Sequence, residues 1–281
     1  MLYKRRSRGR DTSEKGEVSL KIEGEPMRRE LPISTKNCID SKLDAYILHF
    51  DRCNQRCLFC MKAYDIDNKP KLTYREVEDK IIKAKFLGYK KIDFFGGEPT
   101  LFSFLKKAVI FVQKNRMTAT IATNAIKFSS NNYTKDFFAG VDIDNIGIRT
   151  SLHSNKPEVH DYITQVDKSW KKTIKGIKNI LHYTKRLCVN VVITSLNYKE
   201  LPMVTSFIYS LGVRGIKFSG LILYGRALMN KWLTIDISSF LPYLLEALEN
   251  ARKLGFYYIG VEKLPREIFK NKRLEFVHFL D

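Results

Sequence analysis

From about residue 44 onward, short apolar runs alternate with amphipathic stretches, and that alternation restricts the chain to α/β architectures built on a parallel sheet. Ala45–Phe50 reads as a strand. Thr73-Tyr74-Arg75-Glu76 is a capping box opening a helix that buries Val77, Ile81 and Ala84 and stops at Gly88. Lys91–Phe95 is the next strand. Helices at about 101–115, 133–139, 168–184, 199–211 and 238–254 then alternate with strands at about 117–122, 145–152, 187–194 and 214–221.

Six strands joined by helices require right-handed crossovers. They are too few to close an eight-unit barrel, so the expected fold is a partial, open (β/α)6 TIM-like barrel of parallel strands. In such barrels chemistry sits at the carboxyl ends of the strands. A short N-terminal β extension is expected where Val18, Leu20 and Ile22 alternate with polar residues. The organisation reads as a basic tail plus β extension over 1–43, a core domain over 44–261 and a C-terminal tail over 262–281. A hydrophobic share of 44% is enough for a packed core and excludes a disordered chain. No apolar run approaches the roughly 18 residues a membrane helix needs, and no secretory leader is visible, so a cytoplasmic protein without a membrane partner is expected.

The cysteines are the chemical signal. Three of the five, Cys53, Cys57 and Cys60, fall within eight residues directly after the first strand. An odd total packed in this way is a poor disulfide framework and a good metal or cluster site. Three thiolates on a four-iron cubane leave one iron open, which marks a reactive centre. Two other readings stay open from spacing alone: a zinc site completed by His49 or His153, and a loop of free thiols.

Other strand ends carry polar groups. Gly96-Gly97-Glu98-Pro99-Thr100 ends the second strand; paired glycines allow close backbone approach to a ligand, and Glu98 offers a carboxylate to an ammonium. An acidic first helical turn is the bland alternative. Thr123-Asn124 ends the third strand. In the fourth, Ile146, Ile148, Thr150 and Leu152 point one way, and Asn145, Gly147, Arg149, Ser151 and His153 the other. The polar set should line the lumen, where Arg149 and His153 meet an anionic group or form an internal ion pair and a capped strand end. Cys188, Asn190, Val192 and Thr194 share the equivalent face of the fifth strand, with Cys188 read as a small buried hydrophobe.

The spacing Cys53-x3-Cys57-x2-Cys60, with Phe59 before the last cysteine, resembles the signature of the radical S-adenosylmethionine (radical SAM) superfamily, and the Gly96-Gly97-Glu98 turn resembles its GGE motif. The resemblance covers about residues 44–225. It implies a [4Fe–4S] cluster on Cys53, Cys57 and Cys60 and an S-adenosylmethionine cofactor beside it. The cofactor's amino group would meet Gly96, Gly97 and Glu98, its ribose Ser151 or His153, and its adenine the region of Leu221; Phe59, Thr123, Asn124 and Asn190 complete the implied set. The resemblance further implies reductive cleavage to a 5′-deoxyadenosyl radical, fed by a low-potential donor of flavodoxin or ferredoxin type. Only Cys38 and Cys188 remain, so the chain has no second four-cysteine cluster of its own.

The substrate is not legible. A peptide or small metabolite is the leading expectation. RNA is the alternative, because 49 basic against 30 acidic residues give a formal charge of +19. A non-catalytic iron–sulfur or zinc module is the third reading. Much of the charge has a plain explanation: Trp170, Ile174, Ile177 and Leu181 form a buried stripe, and Lys168, Lys171, Lys172, Lys175 and Lys178 fall on the outer face of the same helix.

Overall fold

The computed structural model describes residues 45–62, 72–270 and 272–280. The expected N-terminal strand around Val18 and the cysteine Cys38 lie outside these. The described chain alternates as expected: β1 (Ala45–Phe50), α1 (Tyr74–Phe86), β2 (Lys91–Gly96), α2 (Leu105–Lys114), β3 (Thr118–Thr123), α3 (Asn131–Phe138), β4 (Ile146–Ser151), α4 (Pro157–Thr164), α5 (Ser169–Leu181), β5 (Leu187–Val192), α6 (Leu201–Ser210), β6 (Gly215–Ser219), α7 (Arg226–Met229), α8 (Ile237–Leu254), β7 (Tyr258–Glu262) and β8 (His278–Leu280).

The sheet holds eight strands in sequential order, all pairings being parallel. Among the described residues no pairing joins β8 to β1, so the sheet is an open, partial TIM-like barrel. The expected six strands are all present, and two more extend the sheet. The segment from 262 onward, expected as a tail, ends in β8. Neither addition has a strong local signal: β7 carries Gly260 at its centre, and β8 has three residues.

Alternation sorts the side chains as the sequence predicts. Ile146 and Ile148, Val189 and Val191, Ile216 and Phe218, and Ile259 and Val261 pack outward against the helices in one continuous core. Their neighbours face the lumen, which is polar. There Arg149 pairs with Asp93 on β2 at 2.5 Å, spanning β3, while Lys217 pairs with Glu262 at 2.8 Å. Arg149 is thus committed to an internal ion pair. Glu262 is buried, which would raise its pKa, but Lys217 and the Ser219 hydroxyl outweigh that and bring it to about 2. Cys188 is buried in the lumen wall, as expected of a small hydrophobe.

α1 begins with the full reciprocal capping box between Thr73 and Glu76 and buries Val77, Ile81 and Ala84. α5 buries Thr173, Ile174, Gly176, Ile177, Ile180 and Leu181, leaving Lys171, Lys172, Lys175 and Lys178 exposed. Among the described residues no helix is long and apolar enough to cross a membrane.

Candidate active site

The loop after β1 carries Cys53, Cys57 and Cys60, all half-buried. It is held on three sides. Against β2, Gly97 N–H donates to Phe50 O at 2.8 Å and Glu98 N–H to Arg52 O at 2.5 Å, continuing the β1–β2 pairing into the loop. Against α4, Arg56 N–H donates to Thr164 O and Leu58 N–H to Ile163 O, at 3.0 and 2.9 Å. Against the segment after β6, Arg226 N–H donates to Cys60 O at 3.0 Å, the Arg226 guanidinium to Cys57 O at 3.3 Å, and the Asn230 amide to Leu58 O at 3.1 Å. This loop lacks secondary structure of its own, so these bonds define its shape.

The three thiols are close enough to act on each other electrostatically. Burial pushes Cys53 up to about 11; Glu98 and Cys60 add to the rise, while the backbone hydrogen bond from Gln55 and, to a lesser extent, Arg226 oppose it. Cys57 is raised further, first by burial and then by Cys53 and Cys60. Metal binding must therefore displace protons from both. Among the described residues no three His, Cys, Asp or Glu side chains converge as ligands for a single ion. A cubane offers a separate iron to each thiolate, so thiols spread along one loop fit it better than they fit zinc. His153, one of the two candidates to complete a zinc site, is engaged in bonds of its own between β4 and β5. The donor set fits a [4Fe–4S] cluster: three thiols, a loop braced through its backbone, and a guanidinium beside a centre that would carry negative charge.

The glycine turn is packed tightly against the cysteine loop. A Cβ on Gly97 would lie 2.6 Å from the Arg52 carbonyl carbon, so this glycine makes room for the cysteine loop's own backbone. Gly96, the last residue of β2, pairs with Phe50. The Glu98 carboxylate is buried and turned inward. Its Oε1 accepts from Thr100 N–H (3.1 Å), the Thr100 hydroxyl (2.6 Å) and the Thr123 hydroxyl (2.7 Å); its Oε2 accepts from Asn124 N–H at 2.6 Å. Burial raises its pKa, and these four donors oppose the rise. A carboxylate has about four lone-pair sites, so only Oε2 retains one for an ammonium. Glu98 is first of all a strut between the ends of β2 and β3.

Asn124 extends that strut to the cysteine loop, its amide donating to the Asn54 side chain at 2.6 Å. Phe59 sets its ring edge-on to His153 at 4.9 Å. His153 is buried, and its Nδ1 accepts Val192 N–H at 3.3 Å, which puts its proton on Nε2. Burial, followed by neighbouring His160, holds His153 well below the usual histidine pKa. It is therefore neutral and ties β4 to β5, rather than offering a cation to an anionic group. Ser151 pairs in register with Asn190, whose side-chain amide lies 2.7 Å from the Ser219 hydroxyl. Leu221 follows β6, half-buried at the rim.

The strand ends thus gather Cys53, Cys57, Cys60, Phe59, Gly96, Gly97, Glu98, Thr123, Asn124 and His153 around one loop. Ser151 and Asn190 stand on the adjoining lumen wall. Sequence reasoning missed Gln55, whose side-chain oxygen accepts the Cys57 thiol at 3.5 Å and whose amide nitrogen is buried without a partner among the described residues. It also missed Arg226 and Asn230, since no local pattern announces contacts 169 and 172 residues away. The lone hint was Gly225-Arg226 just past a strand end.

The profile of the family described as "Radical SAM superfamily" matches residues 47–208, more than half of the chain and all of this site except the segment after β6. The chain belongs to the radical SAM superfamily. Members use a [4Fe–4S] cluster and S-adenosylmethionine, the cofactors expected from the cysteine loop. Among curated relatives, a probable GTP 3′,8-cyclase of Thermococcus kodakarensis is 31% identical over 151 residues, covering 53% of this chain and 47% of that one. An S-adenosylmethionine-dependent nucleotide dehydratase of Lacinutrix mariniflava is 29% identical over 167 residues, covering 57% of this chain and 35% of that one. Among solved structures, Streptococcus suis SuiB bound to S-adenosylmethionine superposes with a TM-score of 0.61 at 17% identity, covering 84% of this chain and 50% of that one. At that identity the likeness concerns the fold. This radical SAM chain spans about half the length, or less, of these two curated relatives.

Proposed function

We propose that the chain is a radical SAM enzyme that binds a [4Fe–4S] cluster through Cys53, Cys57 and Cys60 and S-adenosylmethionine at the adjoining strand ends. The observation that carries this reading is the cysteine loop itself, pinned through its backbone to β2, α4 and the segment after β6 at the carboxyl ends of a parallel barrel. When bound, these cofactors would supply one-electron cleavage of the sulfonium to methionine and a 5′-deoxyadenosyl radical able to take a hydrogen atom from a substrate. The electron would come from a low-potential donor of flavodoxin or ferredoxin type, and the proposed setting is the cytoplasm. The residues of the chain bind, orient and exclude water: Phe59 and His153 close one side of the loop, while the Glu98 strut fixes the β2 and β3 ends beneath it.

A peptide or small metabolite is the favoured substrate. Solved relatives include SuiB bound to its precursor peptide SuiA, and curated relatives are named for reactions of nucleotides. RNA is the weaker reading, supported by the net charge and the basic N-terminal residues Lys4, Arg5, Arg6, Arg8 and Arg10.

The test is anaerobic reconstitution with iron and sulfide, followed by dithionite and S-adenosylmethionine. About four irons per chain and formation of 5′-deoxyadenosine are expected, with both lost in Cys53→Ala, Cys57→Ala and Cys60→Ala and retained in Cys188→Ala. A stoichiometric zinc without iron, or an intact cluster without 5′-deoxyadenosine, overturns the proposal.

A further inference from the structure

The segment after β6 grips the cysteine loop at its most functional stretch. Three successive donors of this segment, Arg226 N–H, the Arg226 guanidinium and the Asn230 amide, take the carbonyls of Cys60, Cys57 and Leu58. Gly225 makes that approach possible. Its φ of +61° is a left-handed value, and a Cβ there would lie 2.6 Å from Met61 O and closer still to Cys60 O. No side chain other than hydrogen fits between the segment and the loop.

Two of those three bonds are neutral and would suffice to brace a loop. The third brings a permanent positive charge within 3.3 Å of the backbone carbonyl of a thiol-bearing residue. Arg226 is half-buried, and no carboxylate among the described residues pairs with it. Among the described residues no ion pair cancels its charge, and partial burial limits its screening by salt. A guanidinium does not lose its proton in a protein, so the charge is constant with pH.

We infer that Arg226 is a positioning residue that sets the reduction potential of the cluster held by this loop, making one-electron reduction easier. The inference rests on the cluster reading above. Three thiolates on a 2+ cubane core carry a net negative charge, and the incoming electron adds another. A nearby cation stabilises the more negative, reduced state more than the oxidised one. Only the cluster's electron count changes in this step; no proton or bond is exchanged with Arg226. Asn230 makes a similar bond to the same loop without charge, so the two residues separate bracing from electrostatics.

The experiment compares wild type, Arg226→Gln, Arg226→Lys and Asn230→Ala after anaerobic reconstitution. Iron content is measured first. The cluster is then titrated with dithionite in the presence of redox mediators and followed by the electron paramagnetic resonance signal of its reduced form. The expected result is unchanged iron in Arg226→Gln with about a tenfold fall in the equilibrium constant for reduction, about 59 mV more negative for one electron. Arg226→Lys should restore most of that shift, and Asn230→Ala should not reproduce it. An unshifted potential in Arg226→Gln at full iron content overturns the inference and leaves the cluster reading intact. Loss of iron in Arg226→Gln with a shifted potential in Arg226→Lys also overturns it, since bracing rather than charge would then be at work. A wild-type protein that takes up no iron removes both readings together.

Discussion

The Thr123 hydroxyl donates to Glu98 Oε1 at 2.7 Å, joining the end of β3 to the turn that ends β2. Thr100 and the Asn124 N–H complete the same carboxylate, so the residue expected to greet a ligand is also a support for the apo fold. Glu98→Gln replaces one oxygen by a donor facing donors, leaving at least one buried group unsatisfied. A loss of about 1–3 kcal/mol in urea-denaturation stability is expected with no cofactor present. If apo stability is unchanged and only S-adenosylmethionine affinity falls, the carboxylate serves the ligand alone.

Gly97→Ala should damage the cluster site as well as the cofactor site. The added methyl meets the Arg52 carbonyl, one residue before Cys53, and backbone cannot rotate away as a flexible side chain can. Reduced iron retention after desalting is the expected outcome, with Gly97→Val worse than Gly97→Ala. Full iron with weakened cofactor binding would show that the loop moves without cost.

The fold was legible wherever one element carried its own periodicity or cap. Thr73 and Glu76 announced α1, the Ile174–Ile177 stripe announced α5, and alternation along β4 assigned its two faces correctly. α4 was missed because its eight residues show no complete apolar stripe and its N-cap residue Lys156 makes no side-chain cap. It holds the cysteine loop through two backbone carbonyls, which sequence does not display. The cysteines were legible because their chemistry depends on spacing within one loop. Glu98 was legible as a charge at a strand end and Arg149 as a charge on the lumen face of a strand, but their partners Thr123 and Asp93 come from other strands. Whether a charge faces a ligand or another residue is decided by tertiary register, which a single segment does not contain.

The exposed lysines of α5 lie on a helix that buries its opposite face against the outside of the barrel, away from the lumen. RNA retention near physiological salt should therefore be weak. Replacing Lys171, Lys172, Lys175 and Lys178 by Gln should cost no more binding than removing four charges elsewhere, and should leave 5′-deoxyadenosine formation unchanged. A filter-binding salt series reads this directly, because every phosphate that the protein no longer neutralises flattens the slope by about 0.7–0.9. Tight binding that depends on α5 would move the substrate class to nucleic acid.

Acid sensitivity should originate beneath the cysteine loop. His160 accepts His153 N–H at Nδ1 (3.2 Å), while its Nε2 is buried with no partner among the described residues. Burial lowers the His160 pKa from 6.5 to about 4, against a smaller opposing effect of Asp161, and His153 is lowered as well. Below pH 6.5 the unfolded chain takes up protons that the folded protein refuses until about pH 4, so stability is full above that window and falls as pH decreases through it. Each histidine held neutral contributes a slope of about 1.4 kcal/mol per pH unit. Glu262, lowered to about 2, acts in a lower window: its stabilisation is present above the ordinary carboxylate value and is lost only as pH falls towards 2. The denaturation midpoint of the apo protein should thus be flat above pH 7 and decline from about 6.5 towards 4. His160→Gln keeps an acceptor for the His153 N–H but cannot titrate, so it should reduce the slope by one histidine's share. Equal slopes in the two proteins would place the acid sensitivity elsewhere.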